Sequence, residues 1–328
     1  VSGLVMPAST DVDAFRLHAP VESAELEVQA WTTDPVVFRR APCLLAISAA
    51  GAPSVPPVPA DLADVVDCYW EGWGEIAPLV EKILPRTCIE LMFSLKGRHR
   101  VLEMDGRKQD SRHDLGWLSG LQRRYLLIET FDGSHFVSAR LKPWGAWRLL
   151  REPMKSVSGR VPLIDELWGD GIRLLTERLA AAPNPFARFD LLENDLRRRL
   201  DQRARPDRGI VEATRRLRGS QGLLRIDTLC RELGTSRATL SRKFGEQVGL
   251  APKTYARVVR ISALLGRLAQ RGADDWAMLA EDFGYHDQAH LIHDFQEFCG
   301  ATPSEFLRRA TADGGATLED PPVAAAPG

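Results

Sequence analysis

Apolar residues recur at helical spacing through the last third of the chain, in an order that repeats once. Ile226, Leu229, Cys230 and Leu233 line one side of a short helix. Gly234 ends it, because glycine takes a left-handed backbone without a Cβ clash. Ser236 follows as a cap, its hydroxyl placed to accept from an N–H two or three residues on. The next helix is predicted over residues 237–248, with Leu240, Phe244 and Val248 inward and Arg237, Thr239, Ser241, Arg242 and Lys243 outward. The plan then recurs. Trp276, Leu279, Ala280 and Phe283 line a helix, Gly284 breaks it, Asp287 caps the next one, and Leu291, Phe295 and Phe298 turn inward. Two capped helix pairs joined by one long helix describe an all-α domain with two helix-turn-helix units over residues 206–310.

Upstream the period changes from helical to alternating. Within residues 61–163, "CIELMFSLKG" alternates and is predicted to turn at Gly97. Asp105 and Gly106 mark a hairpin. "RYLLIETFDGSHFVSARLKP" reads as two strands about Asp132 and Gly133. Many short strands with glycine turns point to a small barrel or sandwich. A helix begins near Pro143, with Trp144 and Trp147 about one turn apart. Residues 164–205 return to helical spacing, as a linker or dimerisation segment. Leu167, Leu174, Leu175 and Leu179 mark one stripe; Phe186, Phe189, Leu192, Leu196 and Leu200 mark another beyond Pro183 and Pro185. Residues 1–60 read as an N-terminal extension ending in a proline-rich linker. Residues 311–328 are rich in Ala, Pro and Gly, too poor in apolar bulk to fold. The expected fold class is α+β, β-rich before all-α.

Charge changes the picture only through its distribution. The chain carries 43 Lys/Arg against 44 Asp/Glu, so the total does not announce a polyanionic partner. Residues 207–271, however, hold 14 Lys/Arg against 5 Asp/Glu, and residues 272–310 hold 2 against 8. A localised basic surface is what phosphate neutralisation requires. Cys43, Cys68, Cys88, Cys230 and Cys299 are odd in number and contain no C-x-x-C pair, which suggests reduced thiols and a cytoplasmic location. There is no run of about 18 apolar residues and no basic segment followed by an apolar run at the start. Neither a membrane span nor a secretory signal is expected. Phosphate-loop, dinucleotide and nucleophile-elbow glycine motifs are absent, so neither an enzyme nor a cofactor is expected.

The segments "LCRELGTSRATLSRKFGEQVGLAPKTY" and "LAEDFGYHDQAHLIHDFQEFCGATPSEFLRR" resemble the AraC/XylS family of bacterial transcription regulators. Gly249 with Pro252, and Gly300 with Thr302 and Pro303, keep the family spacing. The resemblance implies that the second helix of each unit enters a major groove of double-stranded DNA. Base-reading candidates are then Arg237, Ala238, Thr239, Ser241, Arg242, Gln288, Ala289 and His293. Phosphate candidates are Ser236, Lys243, Lys253, Arg257 and Arg260. The second reading helix departs from the family, with Leu291, His293 and Gln296 where Phe, Arg and a basic residue are common. Asp294 and Glu297 are expected to approach phosphates and repel them. The first unit should therefore dominate affinity. "LPRTCIELMFSL", "RLKPWGAWRLL" and "VPLIDELWG" look like a poorly characterised sensor domain of one branch of these regulators. That resemblance implies a cupin-like β fold that receives a signal. The partners implied are DNA, a small-molecule effector and RNA polymerase, with the chain a monomer or homodimer and no membrane.

Effector pockets are apolar with few polar groups, which makes Trp70, Trp73, Cys88, Glu90 and Trp144 the candidates for one. Two other classes compete with a regulator. A protein-interaction module would keep the helices and lose DNA contact in the second unit. A zinc hydrolase would use His286, His290 and His293, spaced i, i+4 and i+7 on one helical face. Asp287 is placed as a cap there rather than as a general base, and polar histidines suit a reading helix, so no metal is expected.

Overall fold

The computed structural model describes residues 15–16, 31–32, 44–48, 58–74, 79–201, 203–271 and 275–312. Most of the proline-rich break, Cys43 and residues 313–328 lie outside them. Strands β1 (Phe15–Arg16) and β2 (Trp31–Thr32) form a separate antiparallel pair. Seven strands form one antiparallel sheet: β3 (Leu44–Ser48), β4 (Val66–Gly74), β5 (Leu79–Ile83), β6 (Ile89–Met104), β7 (Arg107–His113), β8 (Gly116–Ser119) and β9 (Leu126–Leu141). The main order is β3-β4-β9-β6-β7, with β5 on β9 and β8 on β6.

Two expected turns prove to be bends. β6 and β9 each run 16 residues without a break. Gly97 lies inside β6 at φ 88°, beside register shifts at Ser94/Lys96 and Lys96/Arg98. The backbone of β9 stays extended through Asp132 and Gly133. An extra residue in one strand of a pair bends it and increases its twist. Each long strand thereby exchanges partners midway: β9 passes from β5 to β4, and β6 from β8 to β7. The result is a curled half-barrel. Asp105 (φ 50°) and Gly106 (φ 73°) do form a tight hairpin turn.

Alternation gives the sheet two faces. Tyr69, Leu91, Val137 and Ala139 share one core with Leu175, Leu179, Phe189 and Leu192. These belong to α3 (Gly171–Ala181) and α4 (Pro185–Arg199), which follow α1 (Gly145–Leu150), a 3-10 turn (Met154–Ser156) and α2 (Ile164–Trp168). Tyr69 stacks on Phe189 at 5.7 Å. The buried Glu71 carboxylate accepts from Arg188 of α4 at 3.0 Å and from His135 of β9 at 2.6 Å, pinning helix to sheet. The opposite face carries Met92, Val101, Trp117 and Leu126, packed with Trp70 and Phe136.

Seven helices complete the chain: α5 (Arg208–Gly219), α6 (Ile226–Glu232), α7 (Arg237–Gln247), α8 (Pro252–Arg271), α9 (Trp276–Asp282), α10 (Gln288–Cys299) and α11 (Pro303–Ala312). Ser236 caps α7 by accepting from Thr239 N at 3.1 Å, and Asp287 caps α10 by accepting from His290 N at 2.8 Å. The apolar sides of these helices continue the core that begins in the sheet. The Tyr255 hydroxyl donates to Thr87 O (3.5 Å), Ser262 Oγ to Pro85 O (3.4 Å), and Tyr125 N to Phe298 O (3.0 Å). The sheet domain presses closest just past the ends of α7 and α10. A Cβ on Gly249 would lie 2.0 Å from Ser158 Oγ, and one on Gly300 2.2 Å from the Tyr125 ring.

Candidate nucleic-acid interface

α7 turns inward through Leu240, Phe244 and Gln247, which leaves Arg237, Ala238, Ser241 and Arg242 exposed. Thr239 is half-buried, its hydroxyl 3.0 Å from that of the capping Ser236. Lys253 is exposed in the first turn of α8. Several of these cations lean on neighbouring acids. Arg237 bonds Asp227, Lys243 bonds Asp207, and Arg242 lies 3.6 Å from Glu246. Hydrogen bonding from Arg237 lowers the Asp227 pKa, and hydrogen bonding from Lys243 lowers that of Asp207. The Arg237 and Arg242 pairs are solvent-exposed and the Lys243 pair is half-buried, so the first two are weak and a phosphate can replace their carboxylates at small cost.

Arg257 and Arg260 do not face outward as the phosphate reading requires. Arg257 donates to Asp294 at 2.6 Å and to Glu297 at 2.5 Å, and its guanidinium lies 4.9 Å from the centre of the Phe298 ring. Burial opposes its charge, but the hydrogen bonds and charges of both acids outweigh that and raise its pKa. Asp294 and Glu297 are therefore clamps on α8 rather than repellers of phosphate. Arg260 donates to Gly222 O at 3.1 Å and Gly284 O at 3.5 Å, over the Tyr285 ring. It ties the turn before the first unit to the turn inside the second. Residues 24 and 37 positions away decide where these side chains go, and no local pattern announces that.

α10 exposes Gln288, Ala289, His290, His293 and Gln296, with His286 exposed just before its cap. The His290 ring accepts from His286 N at 3.4 Å and meets the edge of Tyr285 at 5.2 Å. Among the described residues, the side chains here that approach one point are His293, Asp294 and Glu297, not the three histidines. Arg257 already occupies both of those carboxylates.

On the sheet, Trp70, Cys88 and Glu90 come together, and Trp144 does not join them. Trp144 donates instead to Asp64 O at 2.9 Å. The side chain of Trp73 lies outside the described residues. Glu90 is buried and accepts from Trp70 (3.0 Å), Ser138 (2.9 Å) and Arg140 (2.7 Å), with the Cys88 thiol at 3.9 Å and Arg86 at 3.5 Å. Burial pushes the Glu90 pKa up, but Arg140 and Arg86 more than reverse this and hold it below the usual range. Burial pushes the nearby Cys68 thiol up to about 12. Arg140 was missed from sequence; its signal is a cation at an alternating position inside an apolar strand. Beyond this cluster, Trp70 packs edge-on to Phe136 at 5.2 Å, and His99 lies 5.0 Å from Trp117.

Two capped helix pairs, spaced by one long helix and with exposed second helices, define a double helix-turn-helix DNA-binding domain. A family model described as a helix-turn-helix domain matches residues 229–309, and one described as a domain of unknown function, DUF6597, matches residues 54–161. The chain carries an AraC-type helix-turn-helix domain in its C-terminal part, with a DUF6597 domain before it. No curated protein matches it. Among solved structures, ToxT from Vibrio cholerae is similar at 13% identity and TM-score 0.41, over 73% of this chain and 98% of that one. An unsaturated-fatty-acid-bound ToxT from the same organism is similar at 14% identity and TM-score 0.37, over 70% and 94%. The AraC-like transcriptional activator CuxR is similar at 16% identity and TM-score 0.26, over 69% and 90%.

Proposed function

We propose that the protein binds DNA sequence-specifically, with most of the affinity supplied by α7. The observation that carries this is the exposed face of Arg237, Ala238, Ser241 and Arg242, flanked by Ser236 and Lys253. Arg242 forks onto guanine, Ser241 and Thr239 bond base edges, and Ala238 contributes apolar contact, as major-groove readout requires. Ser236, Lys243 and Lys253 meet phosphates, while Gln288, Ala289 and His293 face the second groove. The boundaries of this reading are residues 61–163 for the sheet domain, 164–205 for the helical segment and 206–310 for the DNA-binding domain.

The sheet domain receives a small-molecule effector on the face that bears Trp70, Cys88 and Glu90. Tryptophan fluorescence of the full chain against a ligand panel tests this. A Trp70→Phe variant that keeps an identical response would remove Trp70 from the site. Leu174 and Phe186, 61% and 44% exposed on α3 and α4, favour a homodimer through these helices. Contact with RNA polymerase follows from the role of a regulator.

The test of DNA binding is a salt titration on the protein's own upstream promoter fragment against scrambled DNA. Specific binding with a steep negative log–log slope is expected. Weak, equal binding to both would favour the interaction-module reading, which the absence of Lys and Arg from α10 supports.

A further inference from the structure

The outward face of α10 has an unusual chemistry for a helix that meets a polyanion. His286, Gln288, Ala289, His290, His293 and Gln296 are all exposed, and the helix holds no lysine or arginine. A protein gains affinity from phosphates by neutralising them and releasing their counterions. On this face the three imidazoles are the side chains that can become cations. An imidazole gains its proton near pH ~6.5, and a phosphate held against it favours the charged form.

The neighbours set the local balance. On α10 itself, Asp287 is engaged as the cap. Asp294 and Glu297 come within 4.8 Å of a His293 ring nitrogen, but Arg257 from α8 binds both. Arg260, also from α8, lies over Tyr285, whose ring edge meets His290. Glu281 and Asp282 end α9 and are exposed. On α11, Glu305 is turned back onto Thr302, and Lys82 of the sheet acts on Cys299 at the far end of α10. The acids nearest His293 are thus answered from behind the helix, while α10 itself carries no permanent cation.

We infer that His286, His290 and His293 are proton-linked DNA contacts, through which the second unit takes up protons as it engages its half of the binding site. The inference rests on the DNA-binding reading above. It makes the second half-site strongly read in mildly acidic solution and weakly read in mildly basic solution, while α7, with arginine and lysine, reads its half at both.

The test uses the full chain and DNA selected from a random pool at about pH 6, titrated at fixed ionic strength in EDTA at about pH 6 and about pH 8. The wild type is expected to bind about tenfold or more tightly at the lower pH. H286Q/H290Q/H293Q should bind equally at both, with the gain at the lower pH abolished. H290K/H293K should bind tightly at both, because lysine keeps its charge. Calorimetry in two buffers of different ionisation heat should show proton uptake for the wild type and none for the glutamine variant. A wild type indifferent to pH, or a glutamine variant with undiminished pH dependence, overturns the inference. Failure to select any sequence overturns the DNA-binding reading as well, and so is told apart from failure of the histidines alone.

Discussion

Ser236 and Asp287 cap α7 and α10 in the same way, and Phe244 and Phe295 sit fully buried at matching places in the two units. Yet α7 turns Arg237 and Arg242 outward, while α10 turns out histidine, glutamine and alanine. Arg257 of α8, which contacts the second unit, faces inward and answers Asp294 and Glu297. A helix-turn-helix needs its buried side to exist and its outer side to read DNA, and this chain keeps the first in both units while varying the second. Architecture and charge are therefore separable, and each can be perturbed alone.

The largest effects should appear where the units are alike. Phe244→Ala and Phe295→Ala should each cost ~3–5 kcal/mol of stability by opening a cavity in the core. Denaturant titration checks this; a loss at Phe295 several-fold smaller would mean the second unit is packed differently from the first. Next comes Arg257→Met. It leaves the buried carboxylate of Asp294 without its cation, which should cost ~2–4 kcal/mol, because stranding a buried charge is expensive. Its salt slope on DNA should match the wild type. A slope reduced by about 0.9 would instead place Arg257 on a phosphate.

Where the units differ, the effects move from stability to binding. Arg242→Ala should weaken DNA binding by ~1–3 kcal/mol and relax the preference at one base pair. His293→Ala, compared at mildly basic pH, should cost under ~0.5 kcal/mol, since a neutral imidazole neutralises no phosphate. Fluorescence anisotropy on the same selected DNA decides between them, and equal losses each beyond ~1 kcal/mol would erase the proposed asymmetry.

How much of this could be read from the sequence follows the range of each interaction. The helix pairs, their serine and aspartate caps and the breaks at Gly234 and Gly284 are local, and local spacing announces them. Gly97 and Gly133 were legible as irregularities but not as bends, because a glycine inside a bent strand and one in a turn look the same until the partner strand is known. The carboxylate clamp on Arg257 and the Arg140 partner of Glu90 join residues 37 and 50 positions apart. Helical and strand periodicity says which face such side chains share, and not what faces them. Trp144 shows the same limit: its apolar bulk suggested a pocket wall, and its indole instead donates to the Asp64 carbonyl.

The smallest effect isolates one charge that meets the first unit from α5. Asp207 caps α5 by accepting from Gly209 N at 2.8 Å and also bonds Lys243 of α7. The Lys243 hydrogen bond lowers its pKa below the ordinary 3.8, against the opposing pull of burial. The sign follows from that direction. The pair's contribution is fully present above the ordinary carboxylate range and is lost as pH falls through the lowered value. Asp207→Asn keeps an oxygen for the cap and removes the charge. Its deficit should be ~1 kcal/mol or less near neutrality, as for other pairs near the surface, and should shrink toward zero as the wild-type aspartate is protonated. Asp287→Asn is the matched change in the second unit, where no lysine meets the cap among the described contacts, so its deficit should be smaller still. Melting curves of both variants from neutral to acid pH measure the difference. A deficit at Asp207 that stays constant down to acid pH would mean that its role is the cap alone, and that the two units differ only in the faces they turn outward.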